Sequence, residues 1–223
     1  MESPTYRDDY LNTSATLPYG LTPEEIGQAI QRFYNFYTGL NEYLAENENG
    51  RLETLIRANN SLSDLIGHRI TEYIAEASDA LVLNQKPDGY PDILPRGEYD
   101  EDSAHHGGRG IETKCSQANG GWQAHNNEDG WFLIIRYVRG DEAESVHEMA
   151  PIEVVQVLAA KLETDDWNHS GRSSGSRRTI TSSIGAEGVH KLRSNPVYQN
   201  PNYITGMPDK KREYLQRHNE IFG

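Results

Sequence analysis

Apolar residues in the first part of the chain recur at helical spacing. Thr22-Pro23-Glu24-Glu25 combines an N-cap hydroxyl, a proline at the first helical position and a glutamate placed to close a capping box. Behind it, Ile26, Ile30, Phe33, Tyr34, Tyr37, Leu40 and Leu44 fall at intervals of three and four. That spacing predicts one buried stripe on a helix reaching about Glu46, ended by Asn47-Glu48-Asn49-Gly50. A second helical region is expected from Leu52 to Ala80, broken near Asn59-Asn60-Ser61. Leu62, Leu65, Ile66, Ile70, Tyr73, Ile74 and Ala77 form its apolar face, and Glu72 and Glu76 sit on the edge of that face. Residues 1–20 show no period and read as a loose arm.

After Leu83 the pattern changes. Pro87-Asp88-Gly89 signals a turn, Tyr90 to Pro95 reads as extended, and Arg96 to Gly110 is a polar loop. Extended structure resumes at Gly110-Ile111-Glu112-Thr113-Lys114-Cys115, and Trp131 to Val138 is apolar nearly throughout, as in a central strand covered on both faces. Pro151 is expected to open a helix carrying Ile152, Val155, Leu158, Ala159 and Leu162. A strand is expected within Arg178 to Ile184, and a charged helix from Lys210 to Phe222. The fold class is therefore α/β (α+β): a single domain over residues 1–223, with a mixed central sheet flanked by helices and with N-terminal helical and C-terminal elaborations.

Composition narrows this further. A chain of 223 residues, 35% hydrophobic and 25% charged, can bury one sizeable core. No segment approaches the roughly 20 consecutive apolar residues of a membrane span, and the polar, acidic start does not resemble a secretory signal, so the expected location is cytoplasmic. The single cysteine, Cys115, cannot form an intramolecular disulfide and is expected to be a reduced thiol. The net charge of −13 argues against a uniformly nucleic-acid-binding surface. From Gly171 to Arg193, however, Arg172, Arg177, Arg178, Lys191 and Arg193 face one acid, Glu187. Arginine, serine and glycine together in Arg172-Ser173-Ser174-Gly175-Ser176-Arg177-Arg178 suit contact with phosphates and base edges, although Ser/Gly content alone would also fit a surface linker. Residues 165–193 are accordingly read as a DNA-contacting segment, with Arg172, Ser174, Arg177, Arg178 and Lys191 as its contacts.

The candidate chemistry lies between the helices and the long strand. Glu112 and Lys114 are two apart, which on a strand points both side chains to one face. Asp92 lies twenty residues earlier in another extended segment, and pairing of the two segments would bring the carboxylates together. Carboxylate oxygens hold magnesium, and a lysine can orient or deprotonate a nucleophile. A solvent-facing ion pair would use the same residue types. His105-His106 lack a third ligand at helical spacing and read as loop residues. Ser173, Ser174 and Ser176 carry no signature of an activated nucleophile.

Pro91-Asp92 together with Glu112-Thr113-Lys114 resembles the motif of the PD-(D/E)XK nuclease superfamily. The surrounding order resembles it too: a helix bearing a glutamate, a strand with the aspartate, a strand with acid-x-lysine, then a helix and a further strand. The resemblance covers about residues 62–140 and implies a restriction-endonuclease-like catalytic core using Mg2+. It implies Asp92, Glu112, Lys114 and Gln123 as catalytic residues, Gln123 orienting water. The implied metal-binding set is Asp92, Glu112, Cys115 and Glu72, with Glu76 competing for the helix position. Large segments on either side of the core make the chain most similar to a type II restriction endonuclease, a homodimer that cuts double-stranded DNA. Repair, recombination and phage nucleases of the same superfamily, a noncatalytic DNA-binding protein, and an interaction protein with a Tyr-rich partner surface are the alternatives.

Overall fold

The computed structural model describes residues 4–56, 58–124, 129–139, 151–169 and 182–203. The capping box forms as its sequence predicts: Glu25 N–H donates to Thr22 Oγ1 at 3.3 Å and Thr22 N–H donates to Glu25 Oε2 at 2.8 Å. It starts α1 (Pro23–Asn47), whose stripe of Ile26, Ile30, Phe33, Tyr34 and Tyr37 is fully buried. The expected break falls between α2 (Leu52–Leu55) and α3 (Asn59–Ala77), and α3 packs along α1.

In chain order the strands are β1 (Leu81–Leu83), β2 (Ile93–Pro95), β3 (Ile111–Ser116), β4 (Gln123–Ala124), β5 (Gly130–Val138), β6 (Glu153–Leu162), β7 (Trp167–His169), β8 (Ser182–Ile184) and β9 (Pro196–Gln199). Among the described residues they make a six-stranded sheet in the order β1-β2-β3-β5-β6-β9 and a three-stranded sheet in the order β4-β8-β7. The larger sheet is mixed: β3 and β5 run parallel, and every other neighbouring pair is antiparallel. Leu133, Ile135 and Tyr137 of β5 face the layer of α1 and α3. Phe132 and Ile134 face the other way, into a second core shared with Trp122, Trp167, Ile184 and Leu192 of α4 (Ala186–Arg193). The chain is thus a mixed α/β protein with a six-stranded mixed sheet flanked by helices.

Three expectations are corrected. The segment from Pro151 to Leu162 holds β6 rather than a helix. Its apolar positions satisfy a helical stripe, but Val154 and Val157 fill the gaps in that stripe, and the β-branched run is buried on both faces of a central strand. Residues 4–20 are not loose: Asn12 N–H donates to Val197 O and its Nδ2 to Pro196 O, both at 2.9 Å, while Tyr6 and Tyr10 pack against the ring of Tyr198. Widely spaced aromatics anchor that arm without producing a period. Finally, α4 falls at the end of residues 165–193, where the sequence reading places no helix. The expected strand within 178–184 is seen from Ser182 as β8, and the expected helix at 210–222 lies outside the described residues. No helix among the described residues is long and apolar enough to cross a membrane.

Candidate active site

The site is built where β2 and β3 meet and then part. Gly110, with φ at +147°, leads into β3; a Cβ there would lie 2.4 Å from both Ile93 O and Pro91 Cγ, so only glycine lets the strands approach before the Ile93–Ile111 pair. Beyond that pair β2 gives way to Pro91 and Asp92. Asn84 draws this segment toward β1: its N–H donates to Asp92 O at 2.8 Å and its Nδ2 to Pro91 O at 2.9 Å. The edge of β3 therefore finds its acceptor in a side chain. Thr113 N–H and Thr113 Oγ1 both donate to Asp92 Oδ2, at 2.8 and 2.7 Å. A strand N–H lies in the plane of its sheet, so this contact holds the Asp92 carboxylate at the sheet edge, between the two faces.

Glu112 and Lys114 do share a face, as their spacing predicts, and the Lys114 amine is paired with Glu112 Oε1. Their register opposite Phe132 and Ile134 turns them toward the second core, and Glu112 is buried at 7% exposure. Thr113 and Cys115, aligned with Leu133 and Ile135, face α3 instead. Asp92 is thus bound to the residue between Glu112 and Lys114, on the strand that carries both.

On the α3 side Asp92 borders an open cavity of about 210 Å³, lined also by Ser63, Asp64, His68, Thr71, Thr113 and Cys115. Gly67 permits the close packing of α3 here, since a Cβ would approach that of Cys115 to 2.7 Å. The acid that α3 contributes to this cavity is Asp64. Glu72 is ion-paired with Arg69, whose guanidinium lies 5.1 Å from the centre of the Phe36 ring, and Glu76 is paired with Arg32 at 2.7 Å. Both glutamates are therefore engaged on the α1 side of the helix. Asp64, His68 and Thr71, spaced by four and three, form a polar stripe that was visible in the sequence but lay outside the apolar face that defined the helix.

Of the remaining expected residues, Cys115 lines the cavity that Asp92 borders, and burial pushes its thiol far above its usual range. Gln123 is exposed on β4, opposite Ser183 of β8. The Lys191 amine donates to the buried carboxylate of Asp166 at 2.7 Å and lies 3.9 Å from Glu163. That hydrogen bond raises the lysine above its usual range and ties α4 to the turn at Thr164–Asp166. Arg172, Ser174, Arg177 and Arg178 lie outside the described residues. His105 and His106 pack against each other in the polar loop, their ring centres 4.6 Å apart and their planes tilted by 39°.

Among the described residues no group of three or more His, Cys, Asp and Glu side chains is arranged to hold a metal ion. Magnesium does not demand one: it is commonly held by one or two carboxylates and completes its shell with water and substrate phosphate. Asp92 suits that chemistry, because both hydrogen bonds that its carboxylate accepts from Thr113 fall on Oδ2. The stretch between β3 and β5 contains β4 and, among its described residues, no helix, where the sequence resemblance implied one. Compared with models of known families, with curated proteins and with solved structures, the chain matches none.

Proposed function

We propose that this protein is a Mg2+-dependent endodeoxyribonuclease with a restriction-endonuclease-like core of the PD-(D/E)XK kind, most similar to a type II restriction endonuclease. One observation carries the reading: the Asp92 carboxylate is hydrogen-bonded to Thr113, the central residue of Glu112-Thr113-Lys114, at an edge where β2 and β3 separate. The element order supports it, since α3, β1, β2 and β3 precede a strand parallel to β3.

In this reading Asp92 and Glu112 supply the oxygen donors for the cation. Bound there, Mg2+ would lower the pKa of its water and neutralise charge growing on the phosphate. Lys114, paired with Glu112, would supply a positive amine able to orient the nucleophile or a phosphate oxygen. Asp64 and His68 line the approach to Asp92 from the helix side. DNA affinity comes from the basic stretch of residues 171–193 in a chain otherwise strongly acidic. Arg172, Arg177 and Arg178 are its proposed contacts, and the active species is a homodimer that cuts one strand per subunit.

Incubation of unmethylated phage genomic DNA with the protein and Mg2+ tests the proposal. Discrete fragments, abolished by chelation, are expected, and sequencing their ends gives site and cut position together. Smearing would indicate a nonspecific nuclease. DNA that is bound but left intact would point to a noncatalytic DNA-binding protein.

A further inference from the structure

Two hydroxyls stand where the sheet packs against α3. Thr71 is 2% exposed, and Thr113 occupies a β3 position whose neighbours on the same face are Ile111, Leu133 and Ile135. Thr71 Oγ1 lies 2.8 Å from Thr113 Oγ1 and 2.7 Å from Gly67 O, and Thr113 Oγ1 donates to Asp92 Oδ2 at 2.7 Å. Polar groups in an apolar layer cost stability unless bonded, and replacing two mutually bonded partners by apolar groups of the same shape is close to neutral. Valines would fill both positions. The hydroxyls therefore do little for packing that valine could not do, and their distinctive effect falls on the carboxylate at the end of the chain.

We propose that Thr113, backed by Thr71, is a positioning residue: the two hydroxyls lock the Asp92 carboxylate by Oδ2 and leave Oδ1 for a divalent cation. This rests on the reading of Asp92 as a metal-holding residue. The rotamer is fixed from both sides, since Thr113 N–H pins the same oxygen from the sheet edge and Thr71, rooted on α3, limits how far the Thr113 hydroxyl can turn. Partners behind a metal ligand commonly change affinity by about 10- to 100-fold when removed.

Titration of the full-length protein with Mn2+, followed by electron paramagnetic resonance of the free ion, tests this without turnover. Asp92→Asn should abolish the site. Thr113→Val should weaken Mn2+ binding by about ten-fold or more, Thr113→Ser should restore parent-like affinity, and Thr71→Val should weaken it to a smaller extent. If Thr113→Val does not fold, Thr113→Ala takes its place. Parent-like affinity in the Thr113 variants, with Asp92→Asn crippled, overturns the positioning role. So does a loss in Thr113→Ser as large as in Thr113→Val, because packing rather than the hydroxyl would then be at work. Unchanged binding in Asp92→Asn instead overturns the metal reading on which the proposal stands.

Discussion

At the scale of single residues, α3 presents two sets of polar side chains with different partners. Glu72 and Glu76 are neutralised by Arg69 and Arg32, whereas Asp64 opens onto the cavity that Asp92 borders. Asp64→Ala is therefore expected to slow DNA cleavage by about ten-fold or more under single-turnover conditions, and Glu72→Ala to leave the rate near that of the parent. A larger loss in Glu72→Ala would place the helix contribution one turn further along. The shared face of Glu112 and Lys114 is legible in the sequence because two charges at strand spacing must share a face. The place of Asp64 at the cavity is not, because the apolar stripe dominates the reading of α3. For Lys191 the charge is visible in the sequence, but the buried carboxylate that engages it, Asp166, lies 25 residues away along the chain.

At the scale of elements, α1 and its cap follow directly from local chemistry, and β3 and β5 from runs of extended apolar sequence. β6 did not, since its apolar positions also satisfy a helical stripe. The narrow junction of β2 and β3 depends on Gly110, where positive φ coincides with backbone and ring atoms at 2.4 Å. Gly110→Ala is expected to cost at least about 1 kcal/mol in chemical denaturation and to reduce cleavage by displacing Asp92 from Thr113. Parent-like stability and activity would show that the junction is wider than this spacing requires.

At the scale of the molecule, α1, α2 and the sheet are joined by a buried polar hub. Tyr37 Oη donates to the buried carboxylate of Glu53 and accepts from Ile152 N–H at 3.0 Å, linking α1, α2 and the start of β6. Burial pushes the Glu53 carboxyl above its usual range, so the folded state holds that proton more tightly than the unfolded chain. The stability it contributes is fully present below the unfolded pKa and is lost as pH rises through the folded one. Glu53→Gln, which keeps an acceptor for Tyr37, should be more stable than the parent at neutral pH and converge with it in acid, as thermal denaturation across pH would show. A variant destabilised at neutral pH would mean that the charged form is favoured by its partners.

The central claim is that Asp92, Glu112 and Lys114 act as one metal-dependent catalytic group. Single-turnover cleavage by Asp92→Ala, Glu112→Ala and Lys114→Ala, with DNA binding measured in Ca2+ in parallel, tests it most directly. Each variant should keep the fold and bind DNA as the parent does, yet lose Mg2+-dependent cutting. Near-parent cutting by either carboxylate variant would contradict the account.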